Sequence, residues 1–121
     1  MTNDNPATGE PRFDLHRRTE AYALDIICFF SQLKRMDDVQ MVLGRQVLRS
    51  GTSIGANYKE ADHARSRAEF KSKIGDCLKE AAETKYWFIL FSRHGHADPA
   101  LSRLLDEAEQ LEKIFHTIYH S

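Results

Sequence analysis

The sequence has little of what marks most function classes. Of its 121 residues, two are cysteine and three are proline. Two cysteines, Cys28 and Cys77, are too few for the disulfide framework of a small secreted domain. Both fall at apolar positions of the pattern, where a buried, reduced thiol is expected, and a reducing cytoplasm is the compartment this suits. The formal net charge is −1, so no bulk positive field draws the chain to nucleic acid or to an anionic membrane. The longest apolar runs are IICFF (Ile26 to Phe30) and YWFILF (Tyr86 to Phe91). Both are far short of the roughly 20 residues that span a bilayer, so no membrane partner is expected. The opening MTNDNPATGEPR has no basic segment followed by an apolar core, and a signal peptide is not expected either. There is no nucleophile elbow, no glycine-rich dinucleotide turn and no Cys–His pairing at meaningful spacing. No catalytic residue, cofactor or small-molecule substrate is therefore assigned.

What is there is helical periodicity, sustained almost throughout. Residues 1–13, with Pro6, Gly9 and Pro11, read as a flexible tail, and residues 14–121 as one domain. A first helix is predicted from about Leu15 to Arg35, with Leu24, Ile27, Phe30 and Leu33 facing inward and Lys34 and Arg35 in its last turn. Asp37 and Gln40 form a capping box that opens a second helix running to about Ala64. Its inward row is Leu43, Val47, Ser50, Ile54, Asn57 and Ala61. Ser66 and Glu69 form a second capping box. The helix it opens runs to about His94, with an unbroken row of Phe70, Ile74, Cys77, Ala81, Thr84, Phe88 and Phe91. Gly95 suits a left-handed C-cap. Asp98 and Pro99 then start a fourth helix whose row is Leu101, Leu104, Ala108, Leu111, Phe115 and Ile118. No strand-like alternation occurs. Short connections between long amphipathic helices imply an all-α fold, a single up-down-up-down antiparallel four-helix bundle.

Four stretches exceed what such a bundle needs. YWFILF and IICFF are apolar on every side of a helix, and in a small bundle every helix has an outer face. An exposed apolar patch of this kind marks an interface. A homo-oligomer is therefore expected, with Phe29, Tyr86, Trp87 and Ile89 at the contact. SGTSIGANYKEA (Ser50 to Ala61) places two glycines inside a helix, where each costs about 1 kcal/mol relative to alanine. Close approach of a neighbouring backbone offsets that, so Ser50, Ser53, Gly55, Asn57 and Glu60 read as a polar-keyed packing contact. A phosphate loop would need a preceding strand and a Lys-Ser/Thr signature, and both are missing.

The fourth stretch is the turn between the second and third helices. Lys59, Arg65, Arg67, Lys71 and Lys73 outnumber Glu60, Asp62 and Glu69 there. Arg12, Arg17 and Arg18 fall near the same end of the bundle. Repeated around an oligomer, such a turn could contact the phosphates of RNA or DNA; the ordinary alternative is a solvated turn of mixed charge. The fourth helix is acidic (Asp98, Asp106, Glu107, Glu109 and Glu112), so it faces away from phosphate or pairs with a neighbouring subunit's basic turn. Glu60 and His63 make one Glu-x-x-His motif, whereas di-iron bundles need two plus further carboxylates. His94 with His96, and His116 with His120, are no stronger, and no metal site is assigned.

The segment from Arg49 to Glu80 resembles the bacterial four-helix-bundle family whose founding members are encoded in intervening sequences of 23S ribosomal RNA genes. Arg49, Ser53, Ile54, Asn57 and Glu60 match the first part of its pattern, and Ser66, Glu69 and Phe70 the second. Ala61 stands where glycine is usual, Tyr58 and Lys59 where Ile-Ala is usual, and Cys77 where serine is common. The resemblance implies a cytoplasmic bundle that assembles as a ring, typically a pentamer, with no known catalytic residues. A related branch, the accessory proteins of diversity-generating retroelements, binds nucleic acid and reverse transcriptase, but that branch is markedly basic and this chain is not. The expectation is a non-catalytic, homo-oligomeric scaffold. The alternative is a nucleic-acid-binding accessory protein that uses the basic turn.

Overall fold

The computed structural model describes residues 11–95 and 98–121, with side chains from residue 14 onward. Its regular elements are four helices: α1 (Pro11–Gln32), α2 (Asp38–Asp62), α3 (Arg67–Arg93) and α4 (Pro99–Tyr119). They form the four-helix bundle expected. The predicted tail lies outside the described residues except for positions 11–13, which already belong to α1.

The helix starts are set by the predicted caps. The Asp37 side chain accepts the Gln40 N–H at 2.7 Å, and the Gln40 side chain accepts the Asp37 N–H at 2.9 Å. The second box closes differently. Ser66 Oγ accepts the Glu69 N–H at 3.0 Å, but the Glu69 carboxylate takes the N–H of Arg65 rather than that of Ser66. Asp98 accepts the Ala100 N–H at 2.9 Å, with Pro99 in the first turn of α4. Gly95 has φ +83°, the left-handed conformation that ends α3.

The rows of α3 and α4 face inward as read, apart from their outermost members. From Ile74 to Phe91 every α3 row residue is buried, as is every α4 row residue from Leu101 to Phe115. Phe70, in the first turn of α3, stays 37% exposed.

On α1 the predicted row is corrected. The buried row is Leu15, Thr19, Tyr22, Ile26 and Phe29, with Phe30 beside it, while Leu24 and Ile27 point outward. Tyr22 fixes this rotation: its hydroxyl donates to the Leu104 carbonyl of α4 at 2.6 Å, inside the core. The helix also stops at Gln32, short of Lys34 and Arg35, and its last turn carries no basic residue. Leaving the helix there lets both Leu33 and Met36 pack against the core. Cys28 is exposed, against expectation, because it lies on the same outer face as Leu24; Cys77 is buried. Burial pushes the Cys77 thiol up to about 12, so it stays a neutral, inert core group.

The glycines of α2 are explained by α1. A Cβ at Gly51 would collide with Ile26, one at Gly55 would lie 2.9 Å from Thr19 Oγ1, and one at Gly44 would lie 2.9 Å from Phe30 Cε1. The spacing 44, 51, 55 on α2 meets 30, 26, 19 on the antiparallel α1, so the three glycines form one stripe of close approach. Between α2 and α3, the buried Thr84 hydroxyl donates to Ser50 Oγ at 2.9 Å, and Ser50 donates to the Gln46 carbonyl at 2.9 Å. Both hydroxyls are thus satisfied inside the core.

Candidate functional site

Three surfaces could carry function, and each follows from how the helices end or pack. The first is the α2–α3 turn. Lys59, Arg65, Arg67 and Lys71 are exposed there. Lys73 is held by Glu60 at 2.6 Å, and this bond raises the Lys73 ammonium above its ordinary range. Lys71 lies over the Tyr119 ring, 4.9 Å from its centroid. Arg18 is not part of this patch. Its guanidinium grips Glu107 of α4 with two bonds of 2.7 Å and reaches Gln110 at 3.0 Å. The side chain of Arg12 lies outside the described residues. Asp62, counted against the basic residues, is 3.3 Å from His16 Nε2. The turn therefore keeps four cations facing solvent, with Lys73 and Arg18 committed to carboxylates.

The second surface is apolar and belongs to the other end of the bundle. Leu24 is 59% exposed, Ile27 43%, and the first turns of α2 expose Val39, Met41 and Val42. On α3, Tyr86 is 55% exposed, while Trp87 and Ile89 are half-buried. Phe29 is buried within its own bundle, in edge contact with Phe30 (5.1 Å between centroids) and Phe91 (6.3 Å). Tyr86 and Trp87 touch edge to face at 5.1 Å. Periodicity located the Tyr86 side of this surface but missed Leu24 and Ile27, which it had turned inward. The signal that finds them is Tyr22, whose hydroxyl needs a partner when buried.

The third surface was not foreseen. Between α1, α4 and the start of α3 lies an open groove of about 680 Å³. Its lining is mostly apolar: Leu15, Tyr58, Phe70, Ile114 and Ile118. The Tyr58 ring packs on His16 at 4.4 Å and on Phe115 at 5.6 Å, and it takes the buried place expected for Asn57.

The packing residues singled out on α2 do not meet as one cluster. Ser50 joins Thr84, Ser53 donates to the Arg49 carbonyl, Asn57 donates to the Ser53 carbonyl, and Glu60 reaches Lys73. Arg49 spans to α3, 2.7 Å from Glu83 and 3.3 Å from Glu80, so residues of the recognised pattern tie α2 to α3 across the surface. Glu83 and Glu80, with the Glu83 hydrogen bond first, raise the Arg49 guanidinium pKa. Among the described residues no group of three or more His, Cys, Asp or Glu side chains is placed to hold a metal ion. His116 and His120 lie ring to ring at 4.4 Å, and His96 lies outside the described residues. No helix among the described residues is long and apolar enough to cross a membrane.

Comparison with known proteins agrees with this architecture. Residues 13–117 match the family model described as 23S rRNA-intervening sequence protein. A crystal structure from Bacteroides thetaiotaomicron VPI-5482, of a protein with unknown function from the S23 ribosomal protein family, is similar to this chain with a TM-score of 0.76 and 32% identity. The similarity covers 88% of this chain and 98% of that one. No curated protein matches the chain.

Proposed function

Given that this chain belongs to the family of 23S rRNA-intervening sequence proteins, we propose that it acts as a non-catalytic, homo-oligomeric scaffold in the cytoplasm, a pentameric ring being the assembly its family resemblance favours. The observation that carries this reading is the apolar surface left outside the packed core. Leu24, Ile27, Val39, Met41, Val42 and Tyr86 are exposed although the bundle beneath them is filled. A monomer would leave these side chains in water, and exposed apolar side chains in such number are the mark of an interface. Light scattering on a sizing column is the test. A mass of several chains is expected, and a monomer at all concentrations would sink the reading.

The exposed cations of the α2–α3 turn favour a second reading, contact with RNA or DNA through Lys59, Arg65, Arg67 and Lys71, with Lys73 at the edge. A ring would present this turn once per subunit, turning weak phosphate contacts into avid ones. Binding of a labelled RNA hairpin should then weaken steeply with salt and disappear in the Arg65→Glu, Arg67→Glu double variant. Binding that survives both changes would exclude this turn.

A further inference from the structure

The apolar row of α3 is buried from Ile74 to Phe91, yet its first member, Phe70, stays 37% exposed. Among the described residues its ring meets no other ring. Beside it, between the first turn of α3 and the last turn of α4, lies a hollow of about 410 Å³ bordered by Arg67, Phe70, Lys71, Ile118 and Tyr119. No carboxylate side chain borders this hollow. Phe70 and Lys71 lie three and four residues beyond Arg67, so the ring and both cations are neighbours on one face of α3. Neither cation has a carboxylate partner among the described residues, and Lys71 is held instead over the Tyr119 ring, 4.9 Å from its centroid. Tyr119 is thus covered on that face, and its rim lies against Gly75. Phe70 is the ring left free to stack. Glu69, next to it in the chain, turns back to the N–H of Arg65. The adjoining α1–α4 groove shares Phe70 but carries Asp14, and its Arg18 is committed to Glu107.

Resting on the reading of the α2–α3 turn as a contact for RNA or DNA, we infer that this hollow takes an unpaired base of a single strand. The uncharged base stacks on Phe70 and enters between α3 and α4, and the phosphates on either side of it meet Arg67 and Lys71. The free ring selects a nucleotide strand over a bare polyanion: cations alone would hold a polyanion, whereas every base has a π-face to lay on an aromatic side chain. It also selects a single strand over a duplex. Bases inside a duplex are already stacked on their neighbours, and contact with the backbone of a duplex needs no aromatic ring. Asp14 repels phosphate from the α1–α4 side of Phe70, which keeps the strand on the α3–α4 side. Stacking of this kind is tolerant of sequence, so no particular base is required.

Fluorescence anisotropy with a labelled oligouridylate and an RNA duplex of equal length tests this. The wild-type protein should bind the strand more tightly than the duplex at the same salt. That comparison needs no variant, so misfolding cannot obscure it. Phe70→Leu keeps an apolar side chain at the rim and removes the π-face. Affinity for the strand should then fall about five- to a hundredfold, the worth of one stacked base, with duplex binding unchanged. Phe70→Trp should restore it. The slope of affinity against salt should stay wild-type in Phe70→Leu and become shallower by about 0.7 in Lys71→Gln, because only the lysine neutralises a phosphate. Both positions are exposed, so all three variants should keep wild-type helicity by circular dichroism. No binding of either probe overturns the nucleic-acid reading together with this one. Strand and duplex bound alike, or Phe70→Leu binding the strand as wild type does, overturns this inference alone and leaves backbone contact by the turn in place. Polyglutamate that displaces the strand as well as unlabelled strand does would mean that charge alone is read, and overturns the inference too.

Discussion

At the end of the bundle where α1 turns into α2, Phe29, Phe30, Phe88 and Phe91 fill the core, ring against ring at 5.1–6.4 Å. The outside of that end also exposes apolar side chains, Val39, Met41 and Val42, among the charges of Lys34, Arg35, Asp38 and Arg93. At the opposite end, where α2 turns into α3, the arrangement is reversed. The interior opens into the groove beside Tyr58 and Phe70, and the outside carries Lys59, Arg65, Arg67 and Lys71. Folding one chain explains the inside of the first end. It explains neither that end's apolar exterior nor the unfilled interior of the second. Excess on one end and deficit on the other are accounted for together if copies pack against each other.

The contrast can be broken most sharply by removing one ring from each end. Phe91 is fully buried, and Phe91→Ala should cost about 3–5 kcal/mol in chemical denaturation, since the cavity cannot collapse among neighbouring rings. Phe70→Ala should cost less than about 1 kcal/mol, because a side chain already 37% exposed gives up little burial. Equal losses would mean that the groove end is as tightly packed as the aromatic end. A smaller contrast lies in the glycines. Gly51→Leu drives a side chain into Ile26 and should cost about 1–3 kcal/mol. At Gly75 an added Cβ meets only the rim of Tyr119, at 3.1 Å, in the last residue of α4. Gly75→Ala should therefore be neutral or stabilising by up to about 1 kcal/mol, from helix propensity. If both substitutions shift the melting temperature alike, close approach of α1 and α2 is not what places glycine at position 51.

How much of this could be read beforehand differs from helix to helix for a physical reason. Most of α3 was legible because its apolar row has no rival: the residues flanking Ile74, Cys77, Ala81 and Thr84 are largely charged. On α1 two apolar rows compete. Leu24 and Ile27 are as apolar as Ile26 and Phe29, and the choice is made by partners on other helices, the Leu104 carbonyl for Tyr22 and the space beside Gly55 for Thr19. Periodicity holds no information about those partners. The glycines announced a close contact, but not that α1 supplies it. The basic turn was visible as composition, yet which cations stay free depended on Glu60 reaching Lys73 and on α4 bringing Glu107 to Arg18. The groove had no linear signature, because residues of all four helices, far apart in the chain, line it.

The smallest expected effect separates the two turns by acid. Asp37 caps α2 at the apolar end through its carboxylate. The Gln40 N–H first, and His94 Nε2 at 3.0 Å second, hold its pKa below the usual carboxylate range. A depressed native pKa means that the stabilisation is present above the unfolded value, about pH 3.9, and is lost as pH falls through the lower native one. At the charged end the corresponding acceptor is the Ser66 hydroxyl, which does not titrate in this range. Amide hydrogen exchange, corrected for its intrinsic pH dependence, should therefore show the Gln40 N–H losing protection below about pH 4 before the Glu69 N–H does. Asp37→Asn keeps a good capping side chain and removes the titrating group, so it should abolish the difference without unfolding the turn. If both amides lose protection together in wild type and variant, acid acts on the bundle as a whole and the cap chemistry does not distinguish its ends.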